Sequence, residues 1–444
     1  MNKTMLTDLY QLTMNAAYFD NQKDDTATFD LFIRKLPEDW GYFIANGIED
    51  AVDYLTNIKF EQDDIDYLRN QGLFTEEYLD FLKDFKFEGE VYAVKEGTPV
   101  FPNEPILRVT AKRTQAQFVE TALLNIINFQ TMIATKANRV VNAAEPAKVV
   151  DFGLRRAQEE DAAIKGARAA YIAGAVATSN VKAGKEYGIP IKGTHAHSFV
   201  MSFPLEIDAF RAYAKTFPDN PTLLIDTYDT EKGAGLAAIV GKELEKKGKQ
   251  LGAVRLDSGD LAYLSKRVRE ILDEKDLDYV KILASNDLNE YKIEKLVRKH
   301  AQIDGYGVGT EMITAKPVAA IPGVYKLAED DDGPKIKLSA GKRTLPGKKQ
   351  VYRQQSQDRQ YLGDTIALET EQVEGTPLLE LAVKDGKRAR PRPALQETRK
   401  YCLEEVATLP DKLKQTKATQ RFVKTKLAPG LNELVNKLTK QYGG

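Results

Sequence analysis

The middle third of the chain repeats one unit, a short β-rich run that ends in polar residues and leads into an amphipathic helix. The polar residues that end these runs are spaced by 32, 31 and 28 positions, which is the length of one strand plus one helix. They are Thr194, Asp226, Asp257 and Ser285. Parallel strands joined by helices form either a barrel or an open doubly wound sheet. In a barrel, we expect the active site where these strands end.

The size of the repeated region limits the kind of barrel. Between Val149 and Gly307 the pattern fits six or seven units, so a complete eight-fold barrel has little room. The first hundred residues have an α+β pattern, which begins with a predicted helix from Leu6 to Phe19. After Lys316 the chain is β-rich, with predicted strands that include Lys335 to Leu338, and it ends in a basic, helix-prone tail.

Charge and cysteine content narrow the setting. The chain has 64 Lys and Arg against 65 Asp and Glu, so there is no general attraction to nucleic acid or to an anionic membrane. Its single cysteine, Cys402, excludes an intrachain disulfide and suits a reducing cytosol. No apolar run reaches the roughly 18 residues that a membrane helix needs. We therefore expect a cytoplasmic protein that binds neither nucleic acid nor membrane.

Two of the three histidines, His195 and His197, lie in the run Gly193 to Phe199. Few other groups in this chain can move a proton or accept a phosphoryl group near neutral pH. The glycine Gly193 and the hydroxyl side chains of Thr194 and Ser198 in the same run suit a phosphate site. The alternative is a His-x-His metal site of a barrel hydrolase, in which both imidazoles share one strand face and His300 is the only further histidine.

Other strand ends carry groups for a ring, a sugar and phosphates. Phe152 could stack a flat heterocycle, while Arg155 beside it suits a phosphate. Arg255 and Asp257 share one strand face, either as a structural salt bridge or to hold an anion together with ribose hydroxyls or Mg²⁺. The glycine-rich turn Gly305 to Thr310 offers bare amides to phosphate, although the chain has no Walker A sequence.

Six short segments, in one order along the chain, resemble the nicotinate phosphoribosyltransferase family. They are Asp8 to Met14, Asp151 to Ala157, Gly193 to Ser198, Val254 to Asp260, Ser285 to Leu288 and Gly307 to Thr310. The resemblance implies an α/β fold with an incomplete (open) α/β barrel and an N-terminal α/β sandwich domain that C-terminal strands complete. The implied segments are the sandwich domain over 1–113, the catalytic barrel over 114–315, a β-rich return to the sandwich domain over 316–370 and a basic helical extension over 371–444.

The same resemblance implies the reaction. A type II phosphoribosyltransferase of this kind forms nicotinate mononucleotide and pyrophosphate from nicotinate and 5-phosphoribosyl 1-pyrophosphate, in NAD biosynthesis. ATP is a co-substrate hydrolysed through a phosphohistidine, as in the ligase class, and Mg²⁺ is the implied cofactor. The family also implies a homodimer whose active sites draw residues from both subunits.

Residue roles carry over from the family motifs. His197 is the implied phosphohistidine, Asp257 and Arg255 are the other implied catalytic residues, and Asp257 is the implied Mg²⁺ ligand. The implied substrate-binding residues are Tyr10, acting across the dimer, Phe152, Arg155, Ser179, Thr194, Arg255, Gly307, Gly309 and Thr310.

Ser179 bears on the choice of substrate, because it stands where nicotinamide-using relatives carry an aspartate. An acid there would repel a carboxylate and accept a hydrogen bond from an amide, so serine favours nicotinate. Nicotinamide or quinolinate is the alternative substrate. A metal-dependent barrel hydrolase and a non-catalytic binding protein on the same fold are the alternative functions.

Overall fold

The computed structural model describes residues 3–443, which form two compact units. One unit takes in the chain up to Met132 and again from Ala320 onward, and the other spans Ile133–Ala319. Among the helices of residues 3–443, none has the length and apolar character needed to cross a membrane.

The first unit begins with short helices that alternate with strands. The opening helix starts at Leu9 and not at the predicted Leu6, because Asp8 has extended backbone and stands at the N-cap position. The elements are α1 (Leu9–Asp20), β1 (Thr26–Ile33), β2 (Phe43–Ile44), α2 (Ile48–Thr56), α3 (Gln62–Asn70), α4 (Glu76–Lys83), β3 (Glu90–Ala93), β4 (Pro99–Val100), β5 (Pro105–Lys112), α5 (Arg113–Phe118) and α6 (Glu120–Ala144), whose residues after Met132 belong to the second unit.

The second unit holds the repeated strands and helices. Some of its helices begin after a side chain that accepts hydrogen bonds from amides of the first turn, as Asp260 does from the amides of Ala262 and Tyr263. The elements are β6 (Lys148–Asp151), a 3-10 turn (Leu154–Arg156), α7 (Glu159–Ile172), β7 (Ala177–Thr178), α8 (Val181–Tyr187), α9 (His197–Met201), α10 (Glu206–Thr216), β8 (Thr222–Leu224), α11 (Thr230–Glu245), β9 (Ala253–Leu256), α12 (Leu261–Asp273), β10 (Lys281–Ala284), α13 (Glu290–Arg298), β11 (Gly305–Val308) and α14 (Thr310–Ile313).

These strands form one parallel sheet in the order β7-β6-β11-β10-β9-β8. Successive strands are neighbours from β8 to β11, and β11 pairs with β6, so the strand order is that of a ring interrupted only between β7 and β8. The sheet is therefore a curled half-barrel in an α/β fold. A doubly wound sheet does not fit, because its strand order reverses at a switch point and does not return to the first strand.

The interruption lies where the sequence pattern predicted one more strand, ending at Thr194. No strand forms there among the described residues; the backbone of the segment pairs with the sheet at one isolated bridge, between Thr178 and Ile191. Pro190 lacks an amide hydrogen and so cannot take part in a full ladder. The other predicted strand ends are close to those observed, since Asp257 and Ser285 directly follow β9 and β10.

After Ala320 the chain completes the sheets of the first unit. The elements are β12 (Gly323–Asp330), β13 (Gly333–Pro334), β14 (Lys349–Gln355), β15 (Tyr361–Leu368), β16 (Thr376–Pro377), β17 (Glu380–Lys384), β18 (Lys387–Arg388), α15 (Leu395–Ala407), α16 (Asp411–Lys414), a 3-10 turn (Gln420–Phe422), β19 (Thr425–Leu427) and α17 (Pro429–Tyr442). One seven-stranded sheet has the order β13-β12-β1-β5-β3-β17-β18, and β1 in its interior is buried at every residue after Thr26.

Two predictions for this part of the chain were wrong in detail. The predicted strand from Lys335 to Leu338 is irregular, because pairing with β12 ends at Pro334. The tail from residue 371 contains four strands as well as helices, and β17 extends the central sheet by pairing with β3. Local helix propensity did not reveal this long-range pairing.

Candidate active site

A pocket of about 350 Å³ opens at the carboxyl ends of the half-barrel strands. It brings together nine of the residues predicted for the site: Phe152, Arg155, Ser179, Thr194, Arg255, Asp257, Gly307, Gly309 and Thr310. They lie within or just after β6, β7, β9 and β11, or in the segment that spans the interruption. Guanidinium groups, hydroxyls and bare glycine backbone in one pocket suit an anionic ligand.

The ring of Phe152 lies against the backbone of β11. A Cβ atom on Gly307 would stand 2.5 Å from Phe152 Cδ2, so only glycine leaves room for the ring at this place. The Arg255 guanidinium carbon is 5.9 Å from the ring centroid. Phe152 therefore presents one aromatic surface beside a cation, an arrangement that can stack a flat heterocycle with an anionic substituent.

A buried carboxylate fixes the loop that carries this ring. Asp151 accepts hydrogen bonds from the amide of Gly153 at 2.8 Å and from the hydroxyl of Thr178 at 2.7 Å. Burial raises the pKa of Asp151, and these two hydrogen bonds oppose the shift. The Ser179 amide donates to the Asp151 carbonyl at 2.8 Å, so the ends of β6 and β7 are held together.

Arg255 is the central cation of the pocket. It donates through Nη1 to the hydroxyl of Thr194, and its Nη2 lies 3.7 Å from Asp257 Oδ2. Burial lowers the pKa of Arg255, while the nearby Asp257 carboxylate opposes the shift, and a guanidinium keeps its charge in proteins. Its buried Nε has no hydrogen-bond partner within residues 3–443, which leaves a donor free for an anion.

Asp257 is oriented from both sides. Ser285 donates its hydroxyl to Asp257 Oδ1, and Asp226 accepts from the Asp257 amide at 2.8 Å. Asp226 also accepts from the hydroxyl of Ser258 at 2.6 Å. The loop after β9 is thus fixed before any ligand arrives, with its carboxylate 29 % exposed to the pocket.

His197 begins α9 beside this carboxylate. Its Nε2 is 3.8 Å from Asp257 Oδ2 and its Nδ1 is 3.1 Å from the Thr227 hydroxyl, while 40 % of the side chain is exposed. The imidazole is therefore both held and accessible, as a group that accepts a phosphoryl moiety must be.

His195 differs from His197 in burial and in its hydrogen-bond partner. It is buried, its Nε2 accepts from the Leu224 amide, and burial lowers its pKa to about 4. The two imidazoles face different partners and no strand carries them, so they do not form the shared face that a His-x-His metal site needs. His300, the remaining histidine, lies beyond the end of α13.

The pocket offers a divalent cation fewer protein ligands than a dedicated metal site does. In the described part of the chain, no group of three or more His, Cys, Asp or Glu is placed to hold a metal. Asp257 and Asp226 nevertheless offer the oxygen donors that Mg²⁺ takes when substrate phosphates complete its shell. The Oδ1 atom of Asp226 is buried and has no hydrogen-bond partner among residues 3–443. The donors present fit a magnesium ion carried by a phosphorylated substrate.

Five further lining residues had been given no individual role, although Gly193 and Ser285 lie in runs predicted to reach the site. They are Arg156, Gly193, Ser285, Asn286 and Asp287. Asn286 and Asp287 have φ of 98° and 41°, in the left-handed region that Asn and Asp tolerate better than other side-chain residues. The Ser-Asn-Asp run after a predicted strand was the available signal. For Thr227, which touches His197 from another loop, the sequence holds no signal.

Tyr10 lies in the other unit, on α1, with 47 % of its surface exposed. Leu6 and Leu9 near it are also exposed, at 39 % and 55 %.

Fold and pocket together define a class of protein: a half-barrel α/β protein with a pocket at its strand ends that is suited to an anionic small molecule. Two family models match, the nicotinate phosphoribosyltransferase N-terminal domain over residues 5–128 and the nicotinate phosphoribosyltransferase family over residues 147–320. The chain belongs to the nicotinate phosphoribosyltransferase family.

Individual relatives agree with this assignment. The chain is 46 % identical over 376 residues to a nicotinate phosphoribosyltransferase of Bacillus subtilis, a match that covers 83 % of this chain and 76 % of the relative. It is 42 % identical over 416 residues to nicotinate phosphoribosyltransferase pncB2 of Mycobacterium tuberculosis, covering 94 % and 89 %. The crystal structure of human nicotinic acid phosphoribosyltransferase superimposes with a TM-score of 0.85 at 27 % identity, covering 97 % of this chain and 99 % of the human one.

Proposed function

We propose that this protein is a nicotinate phosphoribosyltransferase that couples ATP hydrolysis to the reaction through a phosphohistidine at His197. The observation that carries the proposal is one pocket with an aromatic ring, a buried arginine and a carboxylate, beside an accessible histidine. The names of its relatives supply the substrate, nicotinate.

Transfer joins the pyridine nitrogen to the anomeric carbon of 5-phosphoribosyl 1-pyrophosphate. The nitrogen lone pair forms the new C–N bond, and the C–O bond to pyrophosphate breaks with its electron pair leaving on oxygen. Phe152 would stack the pyridine ring and Arg255 would hold its carboxylate or a neighbouring phosphate. Asp257, already oriented by Ser285, would hold ribose hydroxyls and stabilise the positive charge that develops on the ribose ring.

Asp257 would hold a Mg²⁺ ion that arrives with the substrate, and the ion would supply positive charge against the leaving pyrophosphate. Gly307, Gly309 and Thr310 would contribute backbone and hydroxyl donors, and Arg155 a further cation. Every one of these groups acts from a strand end, so the reacting atoms would meet in one place.

The proposed role of ATP is to phosphorylate His197. A nitrogen of the imidazole attacks the γ-phosphorus, ADP leaves with the bond electrons, and water later releases phosphate from the histidine. The Thr227 hydroxyl and the Asp257 carboxylate, on either side of the ring, would steady it during both steps.

We further propose a homodimer in which Tyr10 reaches the site of the partner subunit. Support comes from α1, whose exposed Leu9 and Tyr10 form an apolar surface suited to another protein surface.

The test is a product assay of the purified protein with 5-phosphoribosyl 1-pyrophosphate and, in separate reactions, nicotinate, nicotinamide and quinolinate, each with and without ATP. We expect nicotinate mononucleotide as the main product and faster formation with ATP. Preferential use of nicotinamide or quinolinate would contradict the assigned substrate, and a rate independent of ATP would contradict the coupling.

A further inference from the structure

The half-barrel has a free edge at β8, where the ring of strands is interrupted. Successive amides of a strand point to opposite sides. The Ile225 amide donates to the Arg255 carbonyl on β9 at 3.2 Å, so the Leu224 amide before it points to the free side. A buried amide without an acceptor there would weaken this edge.

The side chain of His195 supplies that acceptor. Its Nε2 lies 3.2 Å from the Leu224 nitrogen, and its ring packs against Tyr213 and Phe199 with centroids 4.7 Å and 5.4 Å away. Accepting through Nε2 requires the tautomer with the proton on Nδ1, which is the neutral imidazole. The low pKa that burial gives His195 keeps it in this form at neutral pH.

The same segment is attached to the other side of the interruption by its backbone. The Thr178 amide on β7 donates to the Pro190 carbonyl at 3.0 Å, and the Lys192 amide donates to the Thr178 carbonyl at 3.0 Å. Residues 190–195 therefore bridge the interruption, with backbone pairing at β7 and one side chain at β8. His197 stands two residues beyond that side-chain contact.

We propose that His195 is a positioning residue, which closes the interrupted ring through the Leu224 amide and thereby fixes where the His197 imidazole stands beside Asp257. The inference rests on the proposed phosphoryl transfer to His197. Transfer needs the attacking nitrogen in line with the γ-phosphate, and a displacement of about 1 Å can cost such a reaction roughly 100-fold.

Three substitutions separate the hydrogen bond from the packing. His195→Phe keeps an aromatic ring among Tyr213 and Phe199 and removes the acceptor. His195→Gln places an amide oxygen at the reach of Nε2, whereas His195→Asn places it at the reach of Nδ1 and leaves the Leu224 amide without a partner. His300→Phe is the matched control, since His300 is exposed.

Three measurements on the full chain report the outcome. Hydrogen–deuterium exchange followed by mass spectrometry, in peptides covering residues 222–226, reports the Leu224 amide. Phosphate incorporation from γ-labelled ATP reports His197, and nicotinate transfer without ATP reports whether the substrate pocket remains intact. A merely structural lesion would lower both rates together, whereas a positioning lesion lowers labelling relative to ATP-independent transfer.

We expect His195→Phe and His195→Asn to exchange the Leu224 amide faster and to be labelled roughly 10 to 100 times more slowly. His195→Gln and His300→Phe should show amide exchange and labelling rates close to those of the unmodified protein. Unchanged protection of Leu224 in His195→Phe, or full labelling despite its loss, would overturn the proposal.

The two proposals fail in different ways. An unmodified protein that transfers phosphoribose to nicotinate but takes up no phosphate would refute the phosphohistidine, and with it a role for His195 in positioning one. An unmodified protein that is labelled while His195→Phe is labelled equally fast would refute only the role of His195. If His195→Phe does not fold, the comparison of His195→Gln with His195→Asn decides the question.

Discussion

The imidazole of His197 is 40 % exposed and held between the Thr227 hydroxyl and the Asp257 carboxylate. We predict that His197→Ala loses phosphate incorporation from γ-labelled ATP and loses stimulation by ATP of roughly tenfold or more, while a slower ATP-independent transfer remains. Parallel labelling and rate assays check this, with His300→Ala as the control. Labelling that persists in His197→Ala would rule out this histidine as the acceptor.

Ser179 tests the choice of substrate at the same scale. It lines the pocket beside Phe152, so an acid there would face a bound pyridine. We predict that Ser179→Asp lowers kcat/KM for nicotinate more than for nicotinamide, because like charges meet where water is excluded. The difference between the two substrates corresponds to a transition-state free energy on the order of several kcal/mol. Ser179→Asn has nearly the same size without the charge and serves as the control. An equal loss with both substrates would show that Ser179 does not face the ring substituent.

Some residues of the site could be predicted from the sequence, and others could not. Arg255 and Asp257 could be predicted for one site because alternation along a strand puts them on one face. The role of Thr227 could not be predicted in this way, since Thr227 contacts His197 from a loop 30 residues further along the chain. The burial of His195 could not either, because it depends on Phe199, Phe210 and Tyr213 closing around the ring.

Among the elements, the start of α13 depends on a buried ion cluster. Lys136 on α6 donates to Glu290 at 2.5 Å and to the Lys316 carbonyl at 2.7 Å, and Arg139 donates to Glu290 at 3.1 Å. Burial lowers the pKa of Lys136, and Glu290 opposes the shift. The cluster joins the chain just after Asp287 to the chain after α14, so it supports two pocket loops from behind.

Removing the carboxylate would leave two buried cations facing each other. We predict that Glu290→Gln lowers the free energy of unfolding by about 3 kcal/mol or more, measured by urea denaturation. Lys83→Met, which breaks the exposed pair with Asp80, should leave the midpoint unchanged and is the control. A midpoint for Glu290→Gln equal to that of the unmodified protein would show that the cluster adds nothing to stability.

The same elements show why local pattern predicts strands better than their partners. The runs that became β9 and β10 were found because each is a short apolar stretch followed by polar residues. The segment at Ile191 has similar composition but did not become a strand, since nothing in the local pattern reports an interrupted ring. Pairing of β17 with β3 joins residues almost 300 positions apart, which no local periodicity encodes.

At the scale of the whole molecule, the proposed shared site gives a complementation test. If Tyr10 acts in the partner subunit's site, a mixed dimer of Tyr10→Ala and Asp257→Ala subunits contains one site with neither change and one with both. We predict that mixing the two inactive variants restores some activity, up to about a quarter of that of the unmodified protein for random exchange in which half the subunits are of each kind.

Subunit exchange must be shown independently, for example with differently tagged chains. Each variant incubated alone under the same conditions is the control. Exchange without recovery would mean that Tyr10 and Asp257 serve the same subunit's site.

The division of the chain into two units has a consequence for synthesis. All residues of the pocket precede Ala320, whereas the seven-stranded sheet needs β12 and β17 from the part of the chain that follows Ala320. During translation, the half-barrel has its whole sequence available while β1, β5 and β3 still lack partners on both outer sides. Ribosome stalling or truncation near residue 320 would therefore release a chain with a complete pocket sequence and two unpaired strand edges, which are templates for aggregation.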